Sequence, residues 1–183
     1  MTKKRFAKYG YFLKRNLVDT TKLDDYLRLL QSSGMGQNDF QVPGAVAFYK
    51  NYLFEELLVG LKPTIQEYTG LKLYETYSYA RLYSIGDELP PHTDREACEI
   101  TVSLCLGIED QDWPIYLLDR FENELCFHLN PGDALIFRGR ELLHWRLKNE
   151  FGKTSQVFFH YVDIDGPYKQ FRNDNKDAVV EDF

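Results

Sequence analysis

Cysteine is scarce in this sequence: three in 183 residues, Cys98, Cys105 and Cys126, with no Cys-x-x-Cys pair among them. That excludes a disulfide framework and a thiolate zinc knot, both of which need closely spaced pairs. Long apolar runs are missing too. No stretch approaches the ~20 residues of a membrane span, and the charged N-terminus lacks the apolar centre of a signal peptide. Reduced thiols without an export signal are expected of a cytoplasmic protein. Positive charge is not in excess: 22 Lys and Arg against 28 Asp and Glu give a net charge of −6, which speaks against a dedicated nucleic-acid surface. With only four histidines, any imidazole-based metal site draws on a short roster.

Apolar and aromatic residues, by contrast, are plentiful at 44 % and 15 %, enough for one well-packed core in a chain of single-domain length. Charge is unevenly placed. Lys3, Lys4, Arg5, Lys8, Lys14 and Arg15 precede any acid, while Asp174, Asp177, Glu181 and Asp182 close the chain. Both ends are expected to be solvated arms. Residues 1–70 read as mostly helical. A short strand at Tyr11–Leu13 precedes a helix that starts at Asp19-Thr20-Thr21 and carries Leu23, Tyr26, Leu27 and Leu30 on one face. Residues 32–44, rich in glycine, form a loop. A second helix is predicted from Ala45 to Tyr68, with Pro63 inside it and Gly70 as its stop.

From residue 71 to 168 the pattern changes to short apolar or alternating runs separated by Gly, Pro, Asn and Asp. Strands are predicted at Tyr74–Tyr83, Glu99–Leu106, Pro114–Leu118, Leu125–Leu129, Ala134–Phe137, His144–Arg146 and Gln156–Val162. Residues 169–183 form the tail. Helices first and strands afterwards do not describe a parallel α/β protein. They predict a mainly β sandwich or barrel, with N-terminal helices buttressing one sheet.

His92-Thr93-Asp94 is the first candidate for chemistry. Along a strand, residues i and i+2 point to one side, so an imidazole and a carboxylate at this spacing can grip one ion. The pair alone equally describes a surface histidine beside a turn aspartate. Its approach adds weight: an aromatic strand ending at Tyr83 runs through Gly86, Pro90 and Pro91 to His92. A third ligand has to come from another strand. His144 is the favoured one, fifty residues beyond Asp94 and behind the turn and strand Pro131-Gly132-Asp133-Ala134-Leu135-Ile136-Phe137. His128 is expected at the far end of a neighbouring strand. His160, inside a long apolar run, is expected to be a core histidine or one that supports the ligands.

Two histidines and a carboxylate on one face of iron leave three positions open. The 1-carboxylate and 2-keto oxygen of 2-oxoglutarate fill two, and O2 takes the last. The products of that chemistry are succinate, CO2 and a hydroxylated C–H bond. A zinc hydrolase could use the same ligands, but no motif supplies its general base.

The order Tyr83-x-x-Gly86-x(5)-His92-x-Asp94, then Pro131-Gly132-Asp133, then His144, resembles the 2-oxoglutarate/Fe(II) dioxygenases of the prolyl-4-hydroxylase-like branch. Further strings are similar to those of small bacterial and phage-type oxygenases of that superfamily: Tyr79-Ala80-Arg81-Leu82-Tyr83, Cys98-Glu99-Ile100, Trp113-Pro114-Ile115, Arg138-Gly139 and His144-Trp145-Arg146. The resemblance implies a double-stranded β-helix, a jelly roll of cupin type, with metal at one open end. It implies Fe(II), 2-oxoglutarate and O2, with ascorbate as a stimulating reductant. The substrate would be a residue of a peptide, such as prolyl, or a small metabolite. In this family a tyrosine before the first histidine and a cation shortly after the last one hold the far carboxylate of 2-oxoglutarate. Tyr83 fits the tyrosine. Lys153 and Arg81 are level candidates for the cation and Arg146 is third; Arg81 could instead form a structural ion pair, for example with Glu99. Arg95, Arg146, Trp145 and His160 are expected to support the ligands or line the substrate mouth. Nucleic-acid repair is disfavoured by the acidic balance. The contrasting expectation is a non-catalytic metal-binding jelly-roll module, which would lack the anchor for 2-oxoglutarate.

Overall fold

A computed structural model describes residues 2–177. Helix α1 (Thr2–Tyr9) leads into β1 (Tyr11–Lys14), α2 (Thr21–Ser32), β2 (Gln37–Asn38), β3 (Val46–Tyr49) and α3 (Tyr52–Thr69). Eight strands follow: β4 (Leu73–Tyr83), β5 (Leu89–His92), β6 (Ile100–Ile108), β7 (Ile115–Leu118), β8 (Glu124–Phe127), β9 (Ala134–Phe137), β10 (His144–Arg146) and β11 (Thr154–Asp163). Antiparallel pairing assembles a seven-stranded sheet of order β1-β9-β6-β11-β4-β3-β2 and a four-stranded sheet of order β5-β10-β7-β8. The two sheets enclose a common interior, where Leu135, Phe137 and Cys105 of the large sheet meet Ile115 and Leu117 of the small one. This is a double-stranded β-helix with helical buttresses.

Period-two alternation sorts the long strands into two faces. Ile100, Val102 and Leu104 of β6, Val157, Phe159 and Tyr161 of β11, and Ala80 and Leu82 of β4 point outward. There they meet Phe6 of α1, Leu27 and Leu30 of α2, and Phe54, Leu58, Leu61 and Ile65 of α3. The largest hydrophobic cluster thus lies outside the large sheet, under the helices. Intervening residues such as Thr101, Ser103, Gln156 and His160 point inward and are polar, leaving the interior between the sheets free for a site.

Three regions differ from the sequence-based expectations. The N-terminal basic segment is a docked helix: Phe6 is fully buried, while Lys3, Lys4, Arg5 and Lys8 lie on its exposed side. Ala45–Tyr49 does not begin a helix. Its β-favouring Val-Ala-Phe-Tyr pairs with β4, and α3 starts only at Tyr52, capped by Asn51, whose side chain accepts a 3.1 Å bond from the Leu53 amide. The predicted end at Gly70 does hold, with a left-handed φ of 79°. The acidic tail is not wholly solvated: Phe171 and Asp174 are buried, whereas Glu181 and Asp182 lie outside the described residues. β5, which contains two prolines, is tolerated because it forms an edge of the small sheet. Among the described residues no helix is long and apolar enough to cross a membrane.

The turn before β9 ties the two halves of the chain together. Gly132 has φ 90°, and a Cβ there would fall 2.6 Å from the Val18 carbonyl, so only glycine fits. Next to it, buried Asp133 accepts from Arg15 Nη1 (2.5 Å) and from the amides of Asn16 (3.0 Å) and Asn130 (2.9 Å). Burial opposes the charge, but Arg15 and the two amides outweigh it and hold the carboxyl below its ordinary value. A lowered carboxyl pKa means that charged Asp133 favours the folded state. Its contribution is complete above the ordinary carboxylate pKa and is lost as pH falls through the lower folded value. Asp133→Asn is expected to lower stability in chemical denaturation by about 2 kcal/mol at neutral pH. The deficit relative to the parent should shrink in strongly acidic buffer; a deficit independent of pH would show that the charge plays no part.

Candidate metal centre

β5 and β10 lie side by side, and their register sets His92 directly opposite His144. The ring centroids are 4.2 Å apart. His92 Nδ1 faces the Pro90 carbonyl at 2.8 Å, and His144 Nδ1 faces the Leu142 carbonyl at 2.9 Å. A carbonyl only accepts, so each Nδ1 carries a proton, and in the neutral ring Nε2 is the nitrogen with the lone pair. Asp94, two residues beyond the strand end, is fixed through its amide to the Gly139 carbonyl at 2.8 Å. Its Oδ1 lies 3.6 Å from Nε2 of both histidines. That is too long for a hydrogen bond. It is somewhat wider than the ~3 Å separating two perpendicular ligands of one ion about 2.1 Å away. The three donor atoms lie within 4.8 Å of one another, a 2-His-1-carboxylate set suited to Fe(II).

The three donors open into a cavity of about 780 Å³ between the sheets. Tyr77, Tyr79 and Arg81 of β4 and Phe158 and His160 of β11 form one wall, and Ile115, Phe137 and Arg146 line the deeper part. Two segments outside the strands complete the rim, each pinned by a buried aspartate. Asp39, in the loop after β2, accepts from Arg81 Nε (2.6 Å) and the Tyr79 hydroxyl (2.8 Å). Asp174, in the C-terminal segment, accepts from Arg95 Nη2 (2.5 Å) and the Tyr49 hydroxyl.

Comparison of the sequence with protein-family models and with curated proteins gives no match. Solved structures do match. A Pseudomonas putida prolyl-4-hydroxylase superimposes with TM-score 0.70 at 15 % identity, covering 86 % of this chain and 95 % of that one. A Trichoplax adhaerens prolyl hydroxylase, in complex with a hypoxia-inducible-factor peptide, gives 0.73 at 16 %, covering 89 % and 88 %. HygX from Streptomyces hygroscopicus, with nickel and 2-oxoglutarate bound, gives 0.69 at 11 %, covering 88 % and 86 %. The fold is that of the 2-oxoglutarate/Fe(II) oxygenases.

Within this oxygenase fold, the other residues singled out from the sequence have varied surroundings. Arg81 is buried and fully engaged, donating to Asp39 Oδ1 and Oδ2, to Gln41 Oε1 (2.8 Å) and to the Tyr83 hydroxyl (3.2 Å). Its ion-pair partner is therefore Asp39 and not Glu99, which instead caps the Asp163 amide at 2.8 Å. Tyr83 is fully buried, with its ring edge-on to Trp113 at 4.9 Å. Lys153 is exposed, outside the cavity lining, where its backbone pairs with Glu109. Trp145 alternates with His144 and Arg146, so it turns to the opposite face and stacks on Tyr116 at 5.7 Å rather than lining a mouth. Arg95 lies at the rim and stacks over Tyr77 at 4.6 Å. His128 is exposed and paired with Asp112, away from the triad. His160 faces the cavity behind Asp94, and burial pushes its pKa down to about 4, so it is neutral at physiological pH.

Arg146 is the exception among the cations. It is 1 % exposed, donates Nη1 to the Trp113 carbonyl and stacks on the Trp113 ring at 5.0 Å. Its Nε and Nη2 are buried and have no hydrogen-bond partner among the described residues. An unpaired buried guanidinium is costly, and burial pulls its pKa down.

Sequence reasoning missed Thr101 and Gly139. Thr101 Oγ1 donates to Asp94 Oδ2 at 2.7 Å. Its signal was the small polar residue alternating with Ile100 and Val102. Gly139 leaves the space Asp94 occupies: a Cβ there would lie 2.2 Å from Asp94 Oδ2, 2.5 Å from Thr101 Oγ1 and 2.7 Å from the Cys98 carbonyl. Gly139→Ala is therefore expected to displace the carboxylate and weaken Fe(II) binding by roughly 10- to 100-fold, as losses around metal ligands do. Equilibrium dialysis beside a thermal melt checks this; unchanged iron retention would mean that the turn adapts without moving Asp94.

Proposed function

We propose that this chain is an Fe(II)- and 2-oxoglutarate-dependent dioxygenase that hydroxylates an unactivated C–H bond, with residues 1–183 acting as one oxygenase domain. His92, Asp94 and His144 hold the iron. The observation that carries this is the coexistence, in one cavity, of a three-donor set with free Nε2 lone pairs and a buried guanidinium with two unpartnered nitrogens. A non-catalytic metal-binding module would have no use for the second feature.

Bound iron supplies a site where 2-oxoglutarate and O2 meet: one oxygen atom goes to succinate, the other to the substrate carbon, and CO2 leaves. The protein's part is positioning. Arg146 is assigned the far carboxylate of 2-oxoglutarate, in place of Lys153 and Arg81. Its planar fork presents Nε and Nη2 on one edge, the pair a carboxylate meets bidentately. Trp113 fixes the guanidinium plane, and Ile115 and Phe137 keep that end of the cavity apolar, which strengthens the ion pair. Arg81, already satisfied by Asp39, Gln41 and Tyr83, is assigned to the rim. A carboxylate arriving at Arg146 neutralises a charge that otherwise stands alone.

The part of the cavity lined by Tyr77, Tyr79 and Phe158 is assigned to the substrate. The Trichoplax structure contains a peptide and a HygX structure contains hygromycin B, so the fold accommodates both a polypeptide residue and a small molecule. The three unpaired cysteines support a reducing, cytoplasmic setting.

Anaerobic loading with Fe(II) and 2-oxoglutarate, with ascorbate to keep the iron reduced, followed by admission of O2 should yield succinate, faster when a substrate is supplied. Arg146→Leu is expected to weaken 2-oxoglutarate binding roughly 100-fold, the scale for removing one partner of a buried charge pair. Lys153→Ala should leave it unchanged. Loss of binding in Lys153→Ala with parent-like binding in Arg146→Leu would return the anchor to Lys153, and failure of the parent to bind 2-oxoglutarate would sink the proposal.

A further inference from the structure

Asp94 has two carboxylate oxygens, and only one faces the metal position. Oδ1 lies 3.6 Å from Nε2 of each histidine, whereas Oδ2 accepts the 2.7 Å hydrogen bond from Thr101. A hydroxyl carries one proton. Its three possible acceptors are Asp94 Oδ2 at 2.7 Å, His160 Nδ1 at 3.1 Å and the Cys98 carbonyl at 3.4 Å, and the shortest, charge-assisted contact takes it. The Thr101 oxygen is then free to accept, and the group facing it is His160 Nδ1 at 3.1 Å. Proton counting fixes the direction of the chain: His160 Nδ1–H donates to Thr101, and Thr101 donates to Asp94 Oδ2.

Each member is held in place. Thr101 and His160 are direct cross-strand partners on β6 and β11, and both are buried. The His160 ring lies against Tyr77 at 4.6 Å and runs parallel to Phe158 at 6.4 Å. From the other side, Gly139 leaves Asp94 Oδ2 just the room it fills.

We propose that Thr101, oriented by His160, is a positioning residue that keeps Asp94 a one-oxygen ligand. The inference rests on the metal-centre reading of His92, Asp94 and His144. A carboxylate that rotated to bind through both oxygens would take one of the three positions that 2-oxoglutarate and O2 require. Thr101 holds that position open by tying up the second oxygen, a task beyond filling space.

The test uses Mn(II) as probe on the full chain without 2-oxoglutarate. Affinity is read from the electron spin resonance of free Mn(II), and metal-bound water from water-proton relaxation. Thr101→Val, nearly isosteric, is expected to weaken Mn(II) binding roughly 10- to 100-fold. It should also reduce relaxation per bound ion by about a third, as one of three open positions is lost to Asp94 Oδ2. Thr101→Ser should restore both values. Thr101→Ala serves the same comparison if valine prevents folding. Parent-like affinity and relaxation in the hydroxyl-free variant overturn the proposal. So does weaker binding with unchanged relaxation that serine fails to rescue, which is what a packing role alone would give. If the parent itself binds no Mn(II), the metal-centre reading fails as well, an outcome distinct from either.

Discussion

The pairing of β5 with β10 is the constraint on which the site depends. It places His92 opposite His144 at the edge of the small sheet, so two imidazoles far apart in the chain are set by backbone hydrogen bonds rather than by side-chain freedom. The register slips by one residue between His144 and Arg146, so that Arg146 lies opposite Leu89. Irregularities of this kind re-aim side chains beside active sites. Here the slip accompanies an arginine packed against Trp113 inside the cavity rather than directed to solvent. The two prolines that make β5 a poor partner on its free side also keep the chain stiff on its way to His92.

Charge accounting separates the cavity's three arginines. Arg81 and Arg95 each meet a buried aspartate supplied by a segment outside the strands, and each aspartate also takes a tyrosine hydroxyl. These pairs close the rim by fixing the loop at Asp39 and the C-terminal segment at Asp174. Arg146 meets no acid among the described residues. A buried charge without a partner is costly, and that cost is what the proposed role of Arg146 rests on. The same physics separates two arginines tied to aspartates from a third with two nitrogens unpartnered.

Such a polar interior is sustainable because stability comes from elsewhere. The outward residues of β4, β6 and β11 form a continuous apolar layer with the three helices, which carries most of the burial. Inward positions on the same strands are thereby released from packing duty and hold Thr101, Gln156 and His160. By covering the outer face of the large sheet, the helices allow the space between the sheets to be a site.

Much of this was legible from residue order. Alternation located most of the strands, Gly70 marked the end of α3, and the His92-Thr93-Asp94 spacing with a distant His144 pointed to three side chains that the fold brings within 4.8 Å of one another. Local errors arose where tertiary pairing overrode local pattern: Val46–Tyr49 became a strand because β4 offered it a ladder, and the basic N-terminus became a helix because α3 offered Phe6 a place to be buried. The sequence by itself determined which chemistry was possible, since donor types and their two-residue spacing are local properties. Only the tertiary structure decided which arginine was unpaired, which oxygen of Asp94 was tied up and which face Trp145 took. Those depend on burial and on partners distant in sequence, such as Asp39 for Arg81 and Trp113 for Arg146, which no local pattern encodes.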